Sequence, residues 1–161
     1  MIEFYEKQRM PWVFSLLPAS SLIFCTATYM KTGLTDIWAF LILILAHLAV
    51  IALLVFISME TIVNDEGVYV KMLPFQWKHK LFAWETISEA YVRQYKPLFE
   101  YGGWGMKFQI KALINRGANI SFSLSGNMGL QLVLNNGARI LIGTHQPNEL
   151  TAILTALNKT K

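Results

Sequence analysis

The chain has 161 residues and a mass of 18.4 kDa, with a mean hydropathy of +0.40 and only 15% Asp, Glu, Lys and Arg. Soluble domains hold about 25% of those charged residues, so the composition excludes a disordered tail and argues against a wholly soluble protein. A net charge of +4 is too small to imply nucleic acid, and one cysteine, Cys25, excludes an internal disulfide framework and a cysteine-rich zinc site.

The apolar residues sit at the front. Trp12 to Met30 gives 19 residues without a charge, and Ile37 to Met59 gives 23 more. As helices these runs reach roughly 28 and 35 Å, against a hydrocarbon core of about 30 Å. A buried core helix would need a large protein around each run. A cleaved signal peptide is the other alternative for the first, with Lys7 and Arg9 as leader charges and Ala19-Ser20-Ser21 as a cleavage site. However, the apolar run continues through Leu22, Ile23, Phe24 and Cys25 to Met30. Only Lys31–Asp36 separates the runs, which predicts an antiparallel hairpin with both chain ends on one side. Lys7 and Arg9 precede it, Lys71, Lys78 and Lys80 follow, and Lys31 stands alone in the loop. The positive-inside rule therefore predicts cytoplasmic termini. Trp12, Tyr29 and Trp38 lie near span ends, where amphipathic rings prefer the interface.

Two polar features interrupt the spans. Ser15, Ser20, Ser21, Thr26 and Thr28 give the first span a hydroxyl-bearing side, and Pro18 predicts a kink. They read either as a substrate path or as hairpin packing, and packing is the expectation. His47 falls near the middle of the second span, an ionisable position that invites a proton role. With no Asp or Glu inside either span it makes a poor relay. A neutral imidazole bonded to a first-span hydroxyl is the expected arrangement.

After Met59 the hydrophobic period becomes two. Strands are predicted over Glu60–Asn64, Val68–Leu73, Lys78–Ala83, Ser88–Tyr95, Lys107–Leu113 and Ile120–Ser125, with Asp65-Glu66-Gly67 as a turn. Asn136-Gly137, between the apolar runs beginning at Gln131 and ending at Ile142, predicts a hairpin with a type I′ turn. Pro147 opens a helix whose Leu150, Ile153, Leu154 and Leu157 form one apolar stripe, with Glu149 in its first turn and a frayed end at Asn158–Lys161. The fold class expected is α+β: a two-helix transmembrane hairpin (residues 1–59, spans 12–30 and 37–59), then a bent antiparallel sheet of about seven strands capped by a C-terminal helix (residues 60–161). That element order is the one found in pleckstrin-homology-like (PH-like) domains.

Three stretches carry a closer likeness. Phe82-Ala-Trp-Glu-Thr-Ile87 is similar to the Trp-containing step between early strands of bacterial PH-like domains, with Ala83 where proline is usual. Tyr95-Lys-Pro-Leu-Phe-Glu-Tyr-Gly-Gly-Trp-Gly105 is the second, and Ser125-Gly-Asn-Met-Gly-Leu-Gln-Leu-Val-Leu-Asn-Asn-Gly137 running on to Ile142-Gly-Thr-His-Gln-Pro-Asn-Glu-Leu150 is the third. Through these the chain resembles small bacterial membrane proteins with a transmembrane hairpin and a PH-like cytoplasmic domain. The resemblance implies a fold and a bacterial inner-membrane location, and no activity.

The candidate sites are few. Tyr101, Gly102, Gly103, Trp104 and Gly105 form a candidate recognition loop, with Gly126 and Asn127 as a second lip of a shared groove; the plainer reading of both is a tight turn. A phosphate loop is not expected, because no helix follows and no Gly-Lys-Ser/Thr appears. Lys71, Lys78 and Lys80, with His79, form a candidate lipid-facing basic cluster, each lysine being worth about 1 kcal/mol near an anionic leaflet. No paired carboxylates, Ser-His-Asp pattern or metal-ligand spacing appears, so no enzyme, cofactor or metal is expected. The function expected is a membrane-anchored binding or assembly module that captures a protein or peptide or self-associates. The alternatives are a transport-complex subunit acting as an oligomer and a domain that contacts anionic lipid. The bilayer is the one partner expected in every case, and nucleic acid in none.

Overall fold

A computed structural model describes residues 3–32, 36–109 and 119–159. The chain divides into two compact units, one of Arg9–Ile57 and one of Met1–Gln8 together with Ser58–Lys161. The apolar segment is therefore spliced into the β domain rather than placed ahead of it.

The first unit is helical. A 3-10 turn at Trp12–Ser15 leads into α1 (Leu16–Thr32), and α2 spans Ile37–Phe56. The stretches Trp12–Lys31 and Ile37–Phe56 are each 20 residues, apolar and unburied, which is long enough to cross a membrane. Asp36 caps α2 by accepting from the Ala39 N–H at 3.1 Å. Between the helices Tyr29 stacks on Phe40, with centroids 4.0 Å apart. Pro18 falls in the first turn of α1, directly after the 3-10 segment, where a missing N–H costs little. It marks the start of the regular helix and does not kink its middle. α2 ends at Phe56, short of the expected Met59, because Ile57 is extended and Ser58 and Met59 already belong to the sheet.

The β domain holds two sheets. The first comprises β1 (Phe4–Arg9), β2 (Ser58–Val63), β3 (Gly67–Leu73) and β4 (Gln76–Ala83), neighbours in that order. The second is built from β5 (Ile87–Gln94), β6 (Gly105–Gln109), β7 (Asn119–Ser123), β8 (Met128–Leu134) and β9 (Arg139–Gly143), in the order β5-β8-β9-β7-β6. A short helix α3 (Pro97–Tyr101) follows β5, and α4 (Pro147–Ala156) closes the chain. The described residues thus form nine strands, against about seven expected, and β7 pairs with β9 in parallel, so the sheet is not purely antiparallel. The expected strand Lys107–Leu113 is seen as β6 up to Gln109, and its remainder lies outside the described residues, as do most of the interhelical loop and residues 160–161.

Two turn expectations change. The β8–β9 turn is not type I′: Gly137 has φ +82°, but Asn136 is not among the positive-φ residues. The Gly137 N–H donates to the Leu134 carbonyl at 2.8 Å, making Asn135-Asn136 the centre of a type I turn with Gly137 as the bulge after it. The C-terminal helix does not simply fray either. Asn158 takes the left-handed conformation (φ +52°), and the Lys159 N–H closes on the Leu154 carbonyl at 2.9 Å.

Val68, Val70 and Met72 of β3, Phe122 of β7, and Leu130 and Leu132 of β8 are fully buried, as period-two alternation against a core requires. Leu150 and Leu154 bury the α4 stripe against β5 and β8. Trp84, in a 3-10 turn between the sheets, joins them: its indole N–H donates to the Asn64 carbonyl at 2.8 Å, and the Lys159 ammonium lies 5.6 Å from its ring centroid.

β1 supplies an unforeseen part of the core. Phe4, Glu6 and Gln8 are buried, and Tyr5, Lys7 and Arg9 alternate outward. The Glu6 carboxylate accepts from the Thr144 hydroxyl at 2.6 Å, the His145 backbone N–H at 2.8 Å and the Gln8 amide at 2.8 Å. Gln8 also donates to the Gly143 carbonyl at 2.9 Å. These bonds tie β1 to the exit of β9. Glu6→Ala leaves those donors without an acceptor and is expected to cost about 1–3 kcal/mol, read from denaturant unfolding of the full chain in mild detergent. Glu6→Gln keeps an acceptor oxygen and should cost less. Equal stability of Glu6→Ala and the native chain would remove β1 from the fold's essential contacts.

Candidate functional site

The loop after β5 is built on local hydrogen bonds. Pro97 opens α3, and the Glu100 side chain reaches back to accept from the Lys96 N–H at 2.8 Å. Gly102 ends the helix in the left-handed region (φ +70°). Its N–H donates to the Leu98 carbonyl at 3.1 Å, the 5→1 bond of an αL closure, and that of Gly103 donates to the Pro97 carbonyl at 2.9 Å. The closure turns the chain so that Trp104 crosses to the neighbouring turn, where its indole N–H donates to the Gly126 carbonyl at 2.9 Å. The Tyr95 N–H donates to the Asn127 carbonyl at 2.8 Å. The two glycine-containing loops, separate in sequence, therefore meet.

Between them lies an open groove of about 500 Å³, lined by residues 94–100, Trp104 and Asn127. Leu98 and Phe99 stand out from α3, Phe99 at 90% exposure. Of the residues expected at this site, Trp104 and Asn127 line the groove and Gly126 holds Trp104 in place. Gly102 and Gly103 shape the turn, Gly103 being buried, and Gly105 is the first residue of β6 rather than part of the loop. Tyr101 turns away. Its ring meets Tyr95 edge-on at 6.1 Å and its hydroxyl accepts from Arg93 at 3.4 Å, in a separate cavity of about 540 Å³ with Tyr91, Asn119, Gln131 and Arg139. Sequence reasoning missed Leu98 and Phe99; Pro97 followed by two large apolar residues was the available signal.

Electrostatics fix the loop more than they prepare chemistry. Arg93 donates to Glu100 at 2.7 Å, which lowers the Glu100 carboxyl below the usual range and raises the Arg93 guanidinium. Burial pushes the Tyr95 and Tyr101 phenols up. Nearby, Ser125 Oγ and His145 Nε2 lie 2.8 Å apart, the spacing of a nucleophile and its base. The adjacent carboxylate, Glu6, takes the backbone N–H of His145 and not its ring, so it does not orient the imidazole as a triad would.

The basic cluster divides. Lys71 faces Glu60 across β2–β3 at 3.4 Å, and Lys7 and His79 reach the same carboxylate at 2.8 and 3.5 Å. These contacts, the Lys7 hydrogen bond foremost, hold the Glu60 carboxyl low. Lys71 is thus tied into the sheet and is not offered to a partner. Lys78 and Lys80 are exposed on β4, with the Lys80 ammonium 5.3 Å from the Phe82 centroid.

In the helical unit, His47 Nε2 lies 3.1 Å from Ser21 Oγ and Nδ1 lies 2.8 Å from the Leu43 carbonyl. A carbonyl only accepts, so Nδ1 carries hydrogen and the Ser21 hydroxyl can donate to Nε2. Ser20, Thr26 and Thr28 donate to carbonyls of their own helix.

Compared with family models and with curated proteins, the chain finds no match in either set.

Glu60 and Glu100 both have lowered folded-state pKa values. Their stabilisation is therefore complete above the unfolded carboxylate range, near 4.5, and is lost as pH falls through the folded values. Because both pairs are partly solvated, each is worth at most about 1 kcal/mol. The melting temperature of the full chain should drop on acidification below pH ~4.5, and Glu60→Gln with Glu100→Gln should flatten that drop. An acid limb of undiminished slope in the double variant would assign it to other groups. Gly102→Ala meets open space but a left-handed φ, so a loss of roughly 1–2 kcal/mol is expected from backbone strain alone.

Proposed function

We propose that this chain is a membrane-anchored capture module. In this reading α1 and α2 cross a bacterial inner membrane with both termini cytoplasmic, and the β domain, PH-like in its element order, presents the groove beside α3 to a protein or peptide or to a second copy of itself. The observation that supports it most is Phe99, a large apolar side chain at 90% exposure on the rim of a groove that two hydrogen-bonded loops hold open. Burying a phenylalanine is worth about 1.5–3 kcal/mol, and this one adds almost none of it to folding. Tethering to a surface raises the effective concentration of any co-resident partner, so a contact of that size can suffice. A transport role is less supported, since Ser20, Thr26 and Thr28 bond to their own helix and Ser21 to His47.

The test is a photo-crosslinking residue at position 96, facing the groove, in full-length protein in intact cells. A discrete crosslinked product is expected, and a product of twice the 18.4 kDa chain mass identifies self-association. Phe99→Glu should abolish the product while shifting stability by less than about 0.5 kcal/mol. A product unaffected by Phe99→Glu would reject the groove as the capture surface.

A further inference from the structure

The β3–β4 hairpin exposes an aromatic and basic surface that the groove does not use. Phe75 in the turn is 59% exposed and Trp77 on β4 is 76% exposed. Lys78, His79 and Lys80 follow, all exposed. From Gly67 to Trp84 the sequence contains no Asp or Glu. Such aromatic side chains inside a soluble protein's edge strand would be a liability for edge-to-edge pairing, which flanking lysines only partly blunt.

Strand register says where this surface lies. Ser58 pairs with Leu73 and Met59 with Met72, so the turn at Pro74–Phe75 stands at the end of the sheet where the chain enters it. Only Ile57 separates Ser58 from Phe56, the last residue of α2. The other end of the same strand pair, at Asp65, lies six paired residues away, or about 20 Å.

The geometry points to a second membrane contact: the β3–β4 hairpin rests in the headgroup layer, with Phe75 and Trp77 at the acyl boundary and Lys78 and Lys80 on the phosphates of anionic lipid. The inference rests on the reading that α1 and α2 span a bilayer. Trp is the residue that most favours this boundary, because its ring is apolar and its N–H stays hydrated. Lysine stems cover apolar surface while the ammonium reaches phosphate. A protein partner would also fit aromatics. Register and the absence of acid favour lipid, because the hairpin tip lies beside Ser58, which Ile57 alone separates from a span, and its charge is opposite to an anionic leaflet.

The experiment uses the full chain with Cys25→Ser, reconstituted in phosphatidylcholine–phosphatidylglycerol vesicles carrying brominated acyl chains. A nitrobenzoxadiazole label is placed at one of three introduced cysteines: Phe75→Cys, Ile23→Cys in α1, or Asp65→Cys. Lipid bromine should quench the labels at 23 and 75 and spare the label at 65. At 75, bromines near the headgroups should quench more than deep ones. Trp77→Ala with Lys78→Gln should weaken quenching at 75 alone. Quenching at 23 without quenching at 75 overturns the hairpin contact and leaves the spans intact. No quenching at 23 overturns the spans, and the hairpin contact with them. A label at 75 shielded from aqueous iodide yet unquenched by lipid means that protein covers it, and also overturns the inference.

Discussion

A buried carboxylate sets the architecture of this chain. Glu6 has been taken out of water on β1, and it is compensated by a hydroxyl, a backbone N–H and a side-chain amide. An unpaired ion in such a place would cost several kcal/mol, so the donors are a condition of β1 lying where it does. They come from the Gly143–His145 segment and from Gln8, which binds the two sheets together through the one strand that precedes the helices. The β domain is therefore complete only with residues from both sides of the apolar segment.

That condition bears on the helices. β1 and β2 are neighbours, and the whole of Arg9–Ile57 is inserted between them. The Met10 N–H donates to the Ile57 carbonyl at 3.3 Å, so the two passages into and out of the helical unit run side by side. Each tether is a residue or two long, without a glycine- or serine-rich linker at either end. A helical hairpin joined by one strand could be exchanged for another segment freely. One joined through two adjacent strands must bring its ends to within a strand spacing, about 4.8 Å, and antiparallel helices are the simplest solution.

Much of this was legible in the sequence, and the failures have physical causes. Both apolar runs could be read from their length and lack of charge, and the β2–β3 alternation and the α4 stripe because burial there selects apolar residues at the structural period. β1 could not: its buried positions are Phe4, Glu6 and Gln8, so period-two burial is written mostly in polar letters. The type I′ expectation failed by one residue, since Asn-Gly accepts both a I′ turn and a type I turn with a glycine bulge, and only the flanking register chooses. Lys71 was grouped with Lys78 and Lys80 by proximity in sequence. The strand period separates them, placing Lys71 opposite Glu60. At the groove, the loops were found through their glycines, whereas α3 was missed because five residues are too few to show helical periodicity.

The exposed aromatics gain meaning from how firmly their surroundings are held. Phe99 sits on a helix of five residues, too short to persist on its own, yet closed at both ends by the Glu100–Lys96 bond and the paired Gly102 and Gly103 bonds. Trp77 sits in a strand whose ladder to β3 is continued by the Gln76 amide donating to the Val70 carbonyl at 2.9 Å. In each case the backbone under the aromatic residue is already ordered before anything touches it. Association then loses side-chain rotamer freedom of about 0.5–1.5 kcal/mol per residue, and little backbone entropy, which runs to about 1–2 kcal/mol per residue in a flexible loop. An exposed aromatic ring on disordered chain would lose most of its burial gain to that ordering. On these braced elements the gain is retained, so a single ring on each is enough to matter.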